Sequence, residues 1–403
     1  MLTHTSSTED SDDGNNANTE RGGAENVHPC AHEPNCGVGV LVRRRFAKMT
    51  KNGGSVIRAL VILGIVVCPC RSFGDFKLPK FPWGGAKVGN DAASGVGSAA
   101  LQPGDTVAVV GASGNVGKLV ALRLSDTYRV NGIVRDVSSA SGFFEGREDR
   151  IRLYESDLLE ELAASDEGGE GGGCPPSLLP ALRDANAIVI CTGTTAFPTE
   201  AWSRSGSFSV TGEVVKALLG SKFDVQKAIS SLDDLGLNTP NNVDDRANGM
   251  ILRAWDSACS VRKKRAVMLS SIGVNRRESM PFPILNACGV LDAKAAGERT
   301  LSECAAAGGY SYTIVRPGQL FGGPYDNNYY LGTLFQLDKD SDTMNVEVGR
   351  GDELLGDTLR STLAEITSQL LEGDRARDMD FAVVNVKGDA PTTEAVQKKL
   401  GDL

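Results

Sequence analysis

The sequence predicts a three-layer α/β domain: a doubly wound, mostly parallel sheet, forming a single folded domain behind a disordered leader. From Thr106 onward, short β-branched apolar runs alternate with stretches of helical spacing. The first run is followed at once by a glycine-rich turn at Gly111. Everything before Asp105 is polar, basic or low in complexity, apart from one short apolar run.

The leader spans residues 1–104. Residues 1–48 are rich in Asn, Asp, Glu, Ser and Gly and turn basic at Arg43, Arg44 and Arg45. Such a stretch cannot bury enough apolar surface to offset the entropy of ordering. Ala59–Val67 is a short apolar run preceded by Lys51 and Arg58. It has the layout of a cleavable signal and falls short of the roughly 20 residues needed to span a bilayer. Met49 precedes the run and is a second possible start. The stretch from Arg71 to Trp83 combines cations with aromatic residues, as transit segments do. Together these features predict delivery to a plastid and no stable membrane span in the mature form. Gly84–Gly104 reads as a linker.

The domain itself is expected over residues 105–395. Strands are predicted at Thr106–Val110, Tyr128–Val134, Ile151–Leu153, Ala187–Cys191, Ala266–Leu269, Ser311–Val315 and Phe381–Asn385. Helices are predicted at Val116–Leu124, Leu179–Ala185, Val243–Cys259, Leu291–Ala306 and Thr358–Leu371. Two surface insertions break the rhythm, near 163–176 and 203–237. The second has room for a small helix at Val214–Leu219.

Composition excludes several chemistries. The net charge of −9 repels phosphate backbones, so nucleic acid is an unlikely partner. All three histidines (His4, His28, His32) lie in the leader. A domain freed of that leader can run no Ser-His-Asp or Cys-His mechanism and hold no histidine-bound metal. His28, Cys30, His32 and Cys36 match no common zinc spacing, and no metal site is expected. Of nine cysteines, Cys174, Cys191, Cys259, Cys288 and Cys304 lie in the domain without CxxC pairing and read as free thiols.

The turn reads Gly111-Ala112-Ser113-Gly114-Asn115-Val116-Gly117, a G-x-x-G-x-x-G between a predicted strand and a predicted helix. That context marks a Rossmann-type dinucleotide site. Gly111 permits the sharp turn, Gly114 lets backbone approach a pyrophosphate, and Gly117 lets the helix pack closely. The helix start offers free amides and a positive dipole end. At the end of the second strand, Arg135 stands where an NAD site usually carries an acid, which favours the 2′-phosphate of NADP(H). Asp157 and Leu158, after the third strand, are placed to meet adenine. Thr192, Gly193 and Thr194 follow the fourth strand, at the sheet edge where such ligands bind.

These segments resemble the atypical short-chain dehydrogenase/reductase superfamily, in its NmrA-like branch, and the plastid NAD(P)-binding proteins of plant and algal type. The matching motifs are GASGNVG at Gly111, VRD at Val134, TGTTAFP at Thr192, TP-x-x-VD from Thr239 to Asp244 and LSSIGV at Leu269. They continue with GVL-x-x-K from Gly289 to Lys294, Glu298, YTIVRPGQL at Tyr312, GDELLGDTLR at Gly351 and VKGD-x-P at Val386. In the broader superfamily catalysis uses Ser, Tyr and Lys, with tyrosine four residues before lysine, and the branch this chain resembles lacks that tyrosine. Ser270 or Ser271 fits the serine and Lys294 the lysine, which also binds the nicotinamide ribose. Val290 stands at the tyrosine position, and valine cannot move a proton. Tyr310, Tyr312, Tyr325, Tyr329 and Tyr330 are candidate replacements. Pro317 and Gly318 are expected to turn backbone polar groups toward the nicotinamide. Arg316 has either a structural or a functional role.

Two functions stay open. One is an NADPH-dependent reductase of a small organic acceptor. The other is a non-catalytic NADP(H) redox sensor or assembly scaffold for a protein partner. An RNA-associated role is disfavoured by the acidic balance.

Overall fold

Strand β1 (Thr106–Val110) is buried along its whole length, and its side chains divide between the two faces of the sheet. Val107 and Val109 enter one apolar layer; Ala108 and Val110 enter the other. Every central strand repeats this division, so the unbroken apolar runs in the sequence are two-faced burial. Each fully buried Val or Leu contributes roughly 1.5–3 kcal/mol. The computed structural model describes residues 100–167, 173–204, 210–322 and 343–403. The leader and its targeting run, through residue 99, lie outside the described residues.

After β1 come helix α1 (Gly117–Leu124), β2 (Arg129–Val134), β3 (Ile151–Glu155) and α2 (Leu158–Glu167), then β4 (Ala187–Ile190). The second insertion holds two helices, α3 (Val210–Gly220) and α4 (Val225–Asp234). A π-helix, Asn241–Ala247, runs into α5 (Asn248–Ala258), followed by β5 (Arg265–Leu269), α6 (Val290–Gly308) and β6 (Ser311–Pro317). The chain ends with β7 (Gln319–Phe321), β8 (Asn345–Arg350), β9 (Asp357–Leu359), α7 (Arg360–Glu372), β10 (Met379–Val386) and α8 (Thr393–Gly401).

The strand order is β3-β2-β1-β4-β5-β6-β10-β9-β7, with β8 also paired to β10. Pairings from β3 to β6 and on to β10 are parallel; β8 and β9 pair antiparallel to β10. This is the expected mostly parallel Rossmann-type sheet. The order reverses between β1 and β4, which opens a crevice at their carboxyl ends. Helices α1, α7 and α8 supply apolar residues to one face. Helices α2, α5 and α6 supply the other, where Trp255 packs on Tyr310 with ring centroids 4.8 Å apart.

Several predicted elements differ in detail. The helix expected over Val243–Cys259 begins as a wider π turn. The helix expected from Thr358 begins at Arg360, because Thr358 and Leu359 pair with Leu320 and Phe321. Helix α2 overlaps the first insertion, and α8 runs past residue 395 to bury Val396 and Leu400. The insertion expected to hold one small helix has its own core: Trp202, Val214, Leu218, Val225 and Leu232 pack with Ala287 and Cys288.

At the amino-terminal edge, opposite the crevice, the buried Arg265 guanidinium fastens the chain after α7. Its Nη2 donates to Ala376 O at 2.9 Å, to Thr313 Oγ1 at 2.6 Å and to Arg375 O at 2.5 Å. Burial holds its pKa down to about 10. Replacing Arg265 with Met strips donors from buried carbonyls. The expected loss is about 3 kcal/mol in urea unfolding, with dinucleotide affinity unchanged.

Candidate dinucleotide cleft

The turn after β1 is locked before any ligand arrives. Gly111 has φ +74°, and the amides of Gly111 and Ala112 donate to Ile133 O at 3.1 and 3.2 Å. The Gly114 amide donates to Gly111 O at 2.9 Å. A β-carbon on Gly117 would lie 2.1 Å from Gly111 O, a backbone atom that cannot move aside. Among the described residues, the amides of Ser113, Asn115 and Val116 donate to no protein acceptor. They open α1, whose N-cap residue, Val116, provides no side-chain cap. Uncapped amides at a helix start are what a pyrophosphate requires.

A cleft of about 530 Å³ runs from this turn across the reversal point. That volume lies within the range for cofactor-sized ligands. Gly111, Ser113, Gly114, Asn115 and Val116 line it, as do Arg135, Asp157, Leu158, Thr192, Gly193, Thr194, Ser270, Ser271, Lys294, Pro317 and Gly318. Ala112 and Gly117 do not; they are packed beneath the turn.

At the β2 end, Arg135 is exposed and its neighbour Asp136 is turned away. The Asp136 carboxylate caps a short helix, accepting from the amides of Ser138 and Ser139 at 2.8 and 3.2 Å. Those hydrogen bonds, with the Ser138 hydroxyl foremost, hold its pKa below the usual carboxylate value. Asp157 is less free than expected. One oxygen caps α2 through Leu159 N at 3.0 Å, and the other is 2.6 Å from Arg204 Nη2.

At the far end, Lys294 Nζ donates to Asp244 Oδ1 at 2.7 Å, and Thr194 N donates to Asp244 Oδ2 at 3.2 Å. Asp244 is buried, and burial raises its pKa against the pull of Lys294. The π-helix delivers this carboxylate; π turns often accompany functional sites. Gly297 permits the approach, since a β-carbon there would lie 2.4 Å from Asp244 O. Ser270 Oγ donates to Glu298 Oε1 at 2.5 Å, and Glu298 is gripped by Arg316 through Nε at 3.0 Å and Nη2 at 2.6 Å. Arg316 also pairs with Asp380. Arg316 therefore has a structural role beneath the site. Ser271 Oγ donates to Ile272 O at 3.0 Å, within its own loop.

Some expectations require correction. Gly318 N donates to Thr358 Oγ1 at 2.8 Å, and Pro317 O accepts from Ile272 N at 2.9 Å. These groups fasten β6 to its neighbours and leave the expected amide unavailable to a carboxamide. Tyr310 is buried against Trp255, and neither it nor Tyr312 lines the cleft. Tyr325, Tyr329 and Tyr330 lie outside the described residues. Val290 packs with Val274, Phe282 and Leu291. Cys191 touches the cleft, and burial pushes its thiol up to about 12. Sequence reading missed the roles of Asp244 and Glu298, although both lie in recognised motifs. It also missed Arg360, the last residue of the GDELLGDTLR motif, and had no local signal for Arg204; both reach this region.

No protein-family model and no curated protein matches the chain. Among solved structures it is similar to the oxidoreductase ylbE of Lactococcus lactis, at 18% identity and a TM-score of 0.44, over 74% of this chain and 96% of that one. It is also similar to a Veillonella parvula short-chain dehydrogenase/reductase in complex with NADP, at 14% identity and a TM-score of 0.37, over 71% and 98%. A UDP-glucuronic acid 4-epimerase of Bacillus cereus in complex with NAD matches at 14% identity and a TM-score of 0.38, over 66% and 74%.

The Lys294–Asp244 pair is open to a double-mutant cycle. Asp244→Ala alone is expected to cost about 2–3 kcal/mol in urea unfolding. Adding Lys294→Met should return about 1 kcal/mol by removing the unpaired ammonium. Strictly additive losses would show that the two groups are not coupled.

Proposed function

We propose that this chain binds NADP(H) and is a reductase-like protein of the atypical short-chain dehydrogenase/reductase superfamily, in its NmrA-like branch, working in a plastid. One observation carries the proposal: unpartnered amides at the start of α1 border a cleft at the point where the strand order reverses. The glycine cradle fits a pyrophosphate. Arg135, with the Asp136 carboxylate committed to its helix cap, supports NADP(H) over NAD(H).

Bound here, a reduced nicotinamide would supply hydride to a small organic acceptor. The residues of the chain would do the rest. Asp244 holds Lys294 at the cleft wall, suited to a ribose hydroxyl. Glu298 accepts the Ser270 hydroxyl proton and so fixes Ser270 as a hydrogen-bond acceptor; the proton that a reduced acceptor needs would come from water or another donor.

A second reading, a non-catalytic NADP(H) sensor that binds a protein partner, is favoured by the place of Val290. It is buried among apolar side chains, and no tyrosine among the described residues lines the cleft. A sensor can shift its partner's affinity only as far as the dinucleotide distinguishes its two states.

Calorimetry on the full chain tests the shared premise. NADPH should bind in the micromolar range, and Gly114→Leu should weaken it more than about tenfold, or roughly 1.4 kcal/mol. No heat of binding would end the proposal. A panel of carbonyls and quinones then separates the readings: substrate-dependent loss of nicotinamide absorbance supports the reductase, and tight binding without turnover supports the sensor.

A further inference from the structure

The segment entering the second insertion is held along the rim of the cleft. The Asn238 side-chain amide donates to Ala201 O at 3.1 Å and Ser203 O at 3.0 Å, and its backbone amide donates to Trp202 O at 2.9 Å. Trp202 Nε1 donates to Thr195 O at 3.3 Å. Ala201 and Asn238 both line the cleft. These bonds hold the chain just before Arg204, whose guanidinium meets the cleft-lining Asp157. Its Nη2 is 2.6 Å from Asp157 Oδ2 and 3.1 Å from Glu160 Oε1, and its carbonyl accepts from Arg135 Nη1 at 3.4 Å.

The charges gathered here are mostly acidic. Asp157 and Glu160 lie on Arg204, while Asp136 and Glu155 accept from amides of the chain after β2. Without Arg204, Arg135 is the cation that lines this end of the cleft among the described residues. A 2′-phosphate dianion brought to Arg135 would then be repelled by Asp157 and Glu160, and an unphosphorylated ribose would not.

We propose that Arg204, supplied by the insertion, is a specificity-determining residue: it neutralises Asp157 and Glu160 and so lets the cleft accept a 2′-phosphorylated dinucleotide. This rests on the dinucleotide reading above. It makes the insertion part of the nucleotide site as well as a surface addition.

Calorimetry with NADPH and NADH on the full-length protein tests it, with adenosine 2′,5′-bisphosphate as a probe of the phosphate alone. Arg204→Ala should lower affinity for NADPH and the bisphosphate on the order of tenfold and for NADH less than about twofold. Arg204→Lys should keep most of the preference. Glu160→Gln added to Arg204→Ala should recover part of the loss. Should Arg204→Ala fail to fold, Glu160→Gln alone remains decisive, with an expected gain of about twofold for NADPH and none for NADH. Equal effects of Arg204→Ala on both dinucleotides would assign Arg204 a purely fastening role and overturn the inference. A wild type without preference between them would also overturn it. In the first case the proposed function stands; in the second, dinucleotide binding stands and its NADP(H) preference falls. Absence of binding by both dinucleotides to the wild type would overturn inference and reading together.

Discussion

The closeness of helix α1 to the turn before it governs the rest of the molecule. At Gly117 the helix backbone lies so near the Gly111 carbonyl that no β-carbon fits between them. Gly111 adopts a left-handed backbone that side chains disfavour, and its amide is tied to β2. Together these constraints aim the first amides of α1 into the crevice beside β4. Separate the helix from the turn and the amides would point elsewhere, with no side chain able to replace them. The turn is therefore a packing solution that also sets the proposed recognition surface.

Below and beside the cleft, charge is buried in pairs. Lys294 meets Asp244, and Arg316 grips Glu298, which in turn orients Ser270. Taking such ions from water is costly, and a well-packed apolar replacement is often no less stable. What the pairs supply is placement: two polar side chains at fixed points on one wall. Close approach of backbone again makes this possible, at Gly297 against Asp244 and at Gly193 beside both Asp244 and Lys294.

The same wall lacks the expected acid/base residue. Val290 stands at the start of α6, one turn before Lys294, in an apolar cluster with Phe282 and Leu291. The proposed site thus pairs uncapped amides at a helix start with a wall that, among the described residues, carries no tyrosine. That combination gives the sensor reading its physical basis and leaves the reductase reading dependent on another donor.

The sequence by itself determined the sheet, the alternation of its layers and the glycine turn, because burial on two faces and the steric demands of a tight turn leave local patterns. It also marked most cleft residues, since loops at the carboxyl ends of parallel strands converge on one edge. Beyond its reach lay the three-residue strands β7 and β9, the largely polar β8, and the two-helix core of the insertion, which needs Ala287 and Cys288 from far along the chain. The ion pair of Asp244 with Lys294 and the contact of Arg204 with Asp157 were equally hidden, although their residues were in plain view. A side chain's identity is local, but its partner depends on which distant segments the fold brings within hydrogen-bond reach, and only the tertiary structure decided that.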